Sequence, residues 1–188
     1  MATKITTGKV RFSFCNIWEP KASNDGGEPK YSVALLIPKS DTATLGAIKA
    51  AMAEARENFC NRNGANSLPA QPVTPLHDGD GTKPNSGEPY GPECKGHYVM
   101  NVSSKVKPKV FDNSTPRPQE ILDPAEVYSG CYGRASINFY GYSNRRKGIG
   151  AGLLAIQKLA DGKPFGTVGS ADDFCDGYTD GDDDEFFN

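Results

Sequence analysis

The most informative segment of the sequence is YSGCYGRASINFYGYSNRRKGIGAGLLAIQKLADGKPFG, residues 128 to 166. Apolar and polar residues alternate from Tyr132 to Tyr142, and this period of two is typical of a half-buried β-strand. A polar turn, SNRRKG, comes next, and a second run rich in apolar residues begins at Gly148. The stretch therefore predicts two strands joined by a turn, although AGLLAIQKLADG taken alone also fits a short helix.

Two more strands are predicted before residue 40. KVRFSFC, residues 9 to 15, alternates strictly, with Phe12 and Phe14 on the same face as Val10. We expect that face to be buried, as we do the face of the later strand that carries Ile137 and Phe139. KYSVALLIP is almost continuously apolar, which predicts a strand that is buried on both faces.

Strand character returns in the middle of the chain. HYVMNVS, residues 97 to 103, is predicted to be a strand. In KVKPKVF, residues 105 to 111, three lysines recur at every second position, so they are expected to project from one side. Pro108 has no N–H group to donate, and this segment is therefore predicted to be an edge strand or a loop arm.

One helix is predicted, from an N-terminal cap at Asp41 to about Asn63. Apolar residues recur there at spacings of three and four, and Gly64 is placed to end the helix. Residues 64 to 96 are dense in Pro, Gly, Asn and Asp, which predicts a long irregular insertion that is either functional or partly mobile. A second Pro-rich loop is predicted over residues 112 to 127.

Length and composition limit the class of protein. The 188 residues include 21 Gly and 14 Pro, and 37% are hydrophobic, so we expect a single domain of short strands and many turns. No apolar run approaches the ~20 residues of a membrane span, and the N-terminus lacks a signal-peptide pattern. We therefore expect a cytoplasmic protein with no membrane partner. The five cysteines are odd in number and widely spaced, which predicts reduced thiols.

Charge divides the chain into two parts. Residues 172 to 188 carry eight acidic residues and no Lys or Arg, whereas residues 1 to 171 have six more basic than acidic residues. This asymmetry predicts a polyanion-binding domain over residues 1 to 171 and a disordered acidic tail over residues 172 to 188. A mere solubilising extension is the alternative. The adjacent Phe186 and Phe187 favour a docking role, because rings at a chain end have no core to enter.

The predicted strand from Tyr132 to Tyr142 has one apolar face and one face on which aromatic, cationic and hydrogen-bonding side chains alternate. Single-stranded nucleic acid needs this combination, because phosphates attract cations while exposed bases stack on flat rings. The predicted phosphate contacts are Arg11, Lys105, Lys107, Lys109, Arg134, Arg145, Arg146 and Lys147. The predicted stacking residues are Trp18, Tyr132, Tyr140 and Tyr142.

Enzymatic and metal-binding patterns are weak in this sequence. Cys94 and His97 have no second pair at zinc spacing, and HDGDG, residues 77 to 81, fails the calcium-loop pattern and fits a turn better. GIGAG, residues 148 to 152, lacks the spacing of a dinucleotide motif. The sequence has only two histidines, so few side chains could act as general acid or base near neutral pH. We therefore predict no catalytic activity, no cofactor and no metal site.

Several segments of the sequence together resemble those of one known protein family. KVRFSFCNIWEP, KYSVALLIPKSD, LHDGD, KGHYVMNVSSKVKPKV and the opening stretch resemble, in this order, bacteriophage single-stranded DNA-binding proteins with an oligonucleotide-binding (OB) fold. The resemblance covers nearly the whole domain and implies a five-stranded barrel with one inserted helix. It also implies that LHDGD is a loop feature of the family, and the acidic tail with its two Phe looks like the tails of phage replication proteins.

The resemblance implies a protein that coats single-stranded DNA in phage replication and recombination, in the cytoplasm of the infected bacterium and with little sequence preference. The tail is expected to compete with DNA and to bind a phage or host polymerase, helicase or recombinase. A homodimer is left open. The tail residues expected to contact the partner are Asp182, Asp183, Asp184, Glu185, Phe186 and Phe187. An RNA-binding or recombination-mediator module is an alternative, and a metal-dependent nuclease that uses Asp78 or Asp80 is another.

Overall fold

The structure, a computed structural model, describes residues 3–22 and 26–165. The predicted acidic tail, residues 172 to 188, lies outside the described residues, and so do its partner-binding residues 182 to 187. Within the described part of the chain there are eight strands and one α-helix. They are β1 (Lys4–Thr6), β2 (Val10–Lys21), β3 (Lys30–Pro38), α1 (Thr42–Asn63), β4 (Leu76–Asp78), β5 (His97–Ser104), β6 (Lys109–Phe111), β7 (Tyr132–Tyr142) and β8 (Gly148–Ala160).

Five of these strands form a closed circuit. β7 pairs with β2, β2 with β3, β3 with β5, β5 with β8, and β8 returns to β7. All these pairs are antiparallel except β5 with β8, which run parallel at Ser103 and Gly152. β1 extends the sheet beside β7, β6 extends it beside β8, and β4 pairs with β5. The mainly β, OB-like architecture with one inserted helix is confirmed.

The hairpin of β7 and β8 follows the predicted alternation. Ala135, Ile137 and Phe139 of β7 are buried, and the residues between them are half-buried. Residues 148 to 160 form a strand rather than a helix, because this segment pairs with β7 along its length, with register shifts next to Tyr132 and next to Ile137. The ambiguity of AGLLAIQKLADG is thereby resolved by long-range pairing.

Helix α1 begins and ends where the sequence predicts. Asp41 caps it, since its Oδ1 accepts a hydrogen bond from the backbone N–H of Thr44 at 3.1 Å. Gly64 follows the last helical residue with φ of 107°, a conformation that favours glycine. The helix packs mainly against β7, where Phe59 fills the space that a Cβ on Gly141 would need. It also contacts β1 and β8, so it packs on the β7 side of the sheet circuit.

Strand β3 is buried on both faces, as predicted. Val33, Leu35 and Ile37 enter the main core, while Ala34 and Leu36 enter a second, smaller cluster on the opposite face. The cover of that second face comes from three residues far away in sequence. They are Tyr90, Cys94 and Phe165.

Two details of the strand predictions need comment. Only Lys109–Phe111 of the segment 105 to 111 forms a strand, and it lies at an edge of the sheet, as Pro108 suggested. The prediction that Phe14 is a core residue was wrong, because its side chain is 70% exposed. The register of β2 on β3 shifts between Ser13 and Asn16, and the extra residue breaks the alternation.

No helix among residues 3–22 and 26–165 is long and apolar enough to cross a membrane. Cys15, Cys60, Cys94 and Cys131 are free thiols. Burial raises the pKa of Cys15 to about 12, so this thiol is protonated at neutral pH and acts as a small apolar side chain.

Candidate nucleic-acid interface

The outward face of β2, β3 and β5 carries a row of depressions, which we call the groove. Antiparallel pairing places Leu36 beside Val99, Ala34 beside Asn101 and Ser32 beside Ser103, all on this face. Two neighbouring depressions of about 400 Å³ and 500 Å³ lie along it. The groove is lined by Arg11, Ser13, Phe14, Lys21, Lys30, Ser32, Ala34, Leu36, Tyr90, Val99, Asn101, Ser103, Lys105 and Phe165.

Arg11 occupies one end of the groove in a fixed orientation. Its Nε donates to the carbonyl oxygen of Gly130 at 2.9 Å, and its Nη2 donates to that of Lys163 at 2.7 Å. Its guanidinium carbon lies 4.2 Å from the ring centroid of Phe165 and 5.3 Å from that of Tyr132. Both hydrogen-bond acceptors are neutral carbonyls, so the cation keeps its charge and further N–H donors for an anion.

Phe14 stands at the middle of the groove. Its backbone has φ of 47°, which a bulky side chain rarely adopts, and its exposed ring helps to line the smaller depression. The insertion contributes Lys83 and Tyr90 to the lining of the same depression. Two aromatic rings, those of Phe14 and Tyr90, therefore line the middle of the groove.

Lysines surround the other end of the groove. Lys21 and Lys30 are register partners at the ends of β2 and β3, and Lys105 follows the last residue of β5. The Nζ of Lys105 lies 3.2 Å from a carboxylate oxygen of Glu28, with both side chains well exposed. An exposed pair of this kind contributes little stability, so a phosphate can replace the carboxylate at small cost.

Three of the predicted contact residues lie near this lysine-rich end or at the neighbouring edge. The indole Nε1 of Trp18 donates to the carbonyl oxygen of Val127 at 3.0 Å, and the Nζ of Lys107 lies 5.6 Å from the Trp18 ring. Lys109 is exposed on the edge strand β6. The structure therefore brings Trp18 and Lys107 together, and Lys105 separately lines the groove.

The predicted surface on β7 is divided between its two ends. Tyr132 lies at the groove beside Arg11, with the Nζ of Lys9 5.0 Å from its ring centroid. Tyr140 is eight residues further along the strand, a separation of about 26 Å at ~3.3 Å per residue. Arg134, between them, is half-buried and donates from Nε to the carbonyl oxygen of Thr7 at 2.8 Å.

Tyr140 and Tyr142 form a separate aromatic surface on the β7–β8 hairpin. Their cross-strand partners are Gly150 and Gly148, and a Cβ at Gly150 would lie 2.6 Å from the ring of Tyr140. The tyrosine side chains therefore lie over glycines of β8, where no other side chain competes for the space. The turn beside them holds three exposed cations. They are Arg145, Arg146 and Lys147.

The residues considered for metal binding have other partners. The Nζ of Lys39 lies 2.7 Å from a carboxylate oxygen of Asp78 and 2.7 Å from one of Asp80. Asp80 also accepts the backbone N–H of Gly96 at 3.1 Å. Hydrogen bonds from Lys39 lower the pKa of both carboxyl groups. This ion-pair cluster fixes the insertion to the end of β3. Within HDGDG the turn is formed at Gly79 and Asp80, whereas His77 and Asp78 belong to β4, so the prediction of a turn was right for only part of the segment.

Sequence patterns missed the centre of the groove. Phe14 was assigned to the core by strict alternation, and a bulge has no sequence signal that such a rule detects. Tyr90 and Phe165 lie in loop segments, so nothing local indicated that they meet over β3. One signal was available for the groove itself: a strand as apolar as β3 needs a cover on its second face.

Comparisons with known proteins agree with this architecture. The family model for the ssDNA-binding protein of Enterobacter phage Enc34 matches residues 3–187. The putative protein p50 of Acyrthosiphon pisum secondary endosymbiont phage 1 is 35% identical over 180 residues, which is 92% of this chain and 93% of that protein.

Solved structures of phage single-stranded DNA-binding proteins also match this chain. The single-stranded DNA-binding protein of bacteriophage Enc34, in complex with ssDNA, is 32% identical with a TM-score of 0.68, and the match covers 87% of this chain and 90% of that chain. The gp2.5 single-stranded DNA-binding protein of bacteriophage T7 has a TM-score of 0.60 at 15% identity, over 95% of this chain and 96% of that chain, which is a likeness in fold alone.

Proposed function

This chain belongs to the family of the Enterobacter phage Enc34 ssDNA-binding protein, and we propose that it binds single-stranded DNA along the groove and coats it during phage replication and recombination. It acts as a non-catalytic protein in the cytoplasm of the infected bacterium. The observation that carries the proposal is the alignment, on one sheet face, of cations at both ends with aromatic rings between them.

The chemistry of the groove suits an unpaired strand. Arg11 at one end and the lysines at the other are placed to attract phosphates at opposite ends of a bound strand, and each contact releases a condensed counterion. The rings between them offer flat surfaces to bases, and stacking contributes ~1–3 kcal/mol per base without distinguishing their identities. Little sequence preference is therefore expected. The corresponding face of OB folds is a frequent oligonucleotide site.

The separate surface at Tyr140, Tyr142 and the turn cations extends this path. Its distance of about 26 Å from Tyr132 along β7 is more than a short strand in the groove spans. We assign it, with Trp18 and Lys107, to contacts with longer DNA that leaves the groove. Arg134 contributes charge to the same side of β7 while its Nε stays bound to Thr7.

The acidic tail is proposed to compete with DNA for the groove. Phe165, which stacks on Arg11 at the groove, lies only seven residues before Asp172, the first residue of the tail. The 17 residues from 172 to 188 carry eight carboxylates. A flexible chain of 17 residues would have a root-mean-square reach of about 20–25 Å, enough to extend over the groove. DNA that displaces the tail frees Phe186 and Phe187 for a polymerase, helicase or recombinase.

The test is binding of fluorescent oligonucleotides of equal length across a salt series. Single-stranded DNA should bind more tightly than single-stranded RNA or duplex DNA, and log affinity should fall by ~0.7 per phosphate contact for each unit of log salt. Tighter binding of RNA or duplex at every salt concentration would refute the proposal.

A matched pair of lysine variants tests the groove within the same assay. Lys30→Gln removes a groove cation and should lower the salt slope by ~0.7, whereas Lys49→Gln on the exposed side of α1 removes the same charge and should leave the slope unchanged. Equal effects of the two variants would place the DNA elsewhere.

A further inference from the structure

Phe14 combines two features that stability alone does not favour. Its φ of 47° is a conformation that costs free energy for a bulky residue. Its ring is 70% exposed, so burial of apolar surface offsets little of that free energy. Strained residues persist where the surrounding structure holds them, and they concentrate at functional sites. The position therefore calls for a role outside the core.

The backbone around Phe14 is held on both sides. The side-chain amide of Asn16 donates to the carbonyl oxygen of Phe14 at 3.0 Å, and the N–H of Cys15 donates to the Oγ of Ser129 at 2.9 Å. Before the bulge, Gly130 donates its N–H to the carbonyl oxygen of Phe12 at 2.8 Å. These bonds hold one extra residue between Ser13 and Asn16, and bulges of this kind redirect a side chain.

The bulge directs the ring of Phe14 into the groove. Phe14 lines the depression that also contains Ala34, Asn101 and Tyr90. In sequence it lies between Arg11, at one end of the groove, and Lys21, at the other. A single strand whose phosphates contact the cations at both ends would thus pass the ring, and one of its bases would lie beside it.

We propose that the bulge presents Phe14 as the central base-stacking residue of the groove, with Asn16 and Ser129 as positioning residues. This inference rests on the proposed function. The strained backbone is the structural cost of turning an apolar ring out of the barrel core and toward an unpaired base.

Phe14→Gly and Phe14→Asn test it, since both residues accept positive φ without a ring. Each should weaken binding of single-stranded DNA about 5- to 150-fold, as expected for one lost stacking contact, without lowering Tm. The salt slope should stay at the wild-type value because no phosphate contact is lost. Phe14→Tyr should retain most of the affinity.

An abasic oligonucleotide gives a second readout. Wild-type protein should prefer an ordinary strand to an abasic strand of the same length, and Phe14→Gly should reduce that preference, because the variant has lost a base contact. Asn16→Ala should also weaken binding of the ordinary strand, although the ring of Phe14 is still present. Leu122→Ala, at an exposed apolar residue outside the groove, should change neither affinity nor preference.

The outcomes separate this inference from the proposed function. Tight single-stranded DNA binding by wild-type protein together with unchanged affinity of Phe14→Gly overturns the stacking role alone. A loss of affinity that merely follows a lowered Tm also overturns it. Failure of the wild-type protein to bind single-stranded DNA overturns both.

Discussion

The ring of Phe165 lies over the guanidinium group of Arg11, with 4.2 Å between the guanidinium carbon and the ring centroid. The other neighbour of the same group is Tyr132, at 5.3 Å. A cation between two aromatic rings is thus fixed at the end of the groove, and the residue that supplies the closer ring belongs to the segment that leads to the acidic tail.

Replacing Arg11 tests its role as a phosphate contact. Arg11→Met should weaken binding of single-stranded DNA and reduce the salt slope by ~0.7, because one contact is lost. Arg11→Lys should keep the slope while losing part of the affinity, since Lys lacks the planar group that stacks and donates in a fixed orientation. Fluorescence anisotropy over a salt series measures both effects. A slope unaffected by Arg11→Met would remove Arg11 from the interface.

Phe165→Ala should tighten binding in the full chain. DNA that approaches Arg11 must displace or share the Phe165 ring, and an exposed cation–π contact contributes ~0.5–1 kcal/mol, which corresponds to a gain of about 2- to 5-fold. The dissociation constant at low salt is the measurement. Weaker binding would instead make the ring part of the DNA platform.

Deleting residues 172 to 188 should also tighten binding, because the tail no longer competes for the cations. The gain should be largest at low salt and shrink as salt is raised, since screening weakens the attraction between tail and groove. The same deletion should abolish pull-down of the partner polymerase, helicase or recombinase. Equal affinities of full-length and shortened chains at low salt would contradict the competition.

Combined replacement of Arg145, Arg146 and Lys147 by Ala tests the extended path. Oligonucleotides of about 6 nucleotides, near the lower limit for one OB fold, should bind as they do to the wild type. Strands of about 20 nucleotides should bind more weakly, because they reach the hairpin turn. An equal loss for both lengths would place the turn within the primary site.

The ion-pair cluster of Lys39 with Asp78 and Asp80 predicts acid sensitivity. Hydrogen bonds from Lys39 lower the carboxyl pKa values, so their stabilisation is present above the ordinary carboxyl pKa and is lost as pH falls through the lowered values. Tm should therefore decline less steeply below about pH 4 in Asp78→Asn/Asp80→Asn than in the wild type.

The matched variant for this comparison is Glu57→Gln, an exposed carboxylate on α1. It should keep the wild-type pH profile of Tm, because its replacement leaves the Lys39 cluster intact. Identical profiles of the double variant and the wild type would show that the cluster adds no acid-dependent stability.

Local signals in the sequence were sufficient for much of the fold. Asp41 and Gly64 mark the ends of α1 because caps depend on a few neighbouring residues. The alternation from Tyr132 to Tyr142 predicted which face of β7 is buried, since a period of two reports which side meets the core. The two-sided burial of β3 likewise followed from its apolar run.

The arrangement of the groove depended on contacts that no local pattern encodes. The predicted contact residues of β7 lie on one face, yet the length of the strand separates Tyr132 from Tyr140. Phe165 and Tyr90 reach β3 from loops, and only the closed circuit of strands brings those loops together. The proximity of Phe165 and Tyr90 to β3 can therefore be seen only in the three-dimensional structure.

The one-residue register shift in β2 also bears on how such a surface can arise. Between Ala34 and Ser32 the partner strand advances two residues while β2 advances three, from Ser13 to Asn16. Loss of a single codon, that of Phe14, would restore a regular ladder between Arg11 and Asn16, while the second register shift, between Asn16 and Lys21, would stay in place. A plain barrel strand and one that displays an aromatic ring are thus separated by one in-frame insertion, a genetic step far smaller than the acquisition of a new loop.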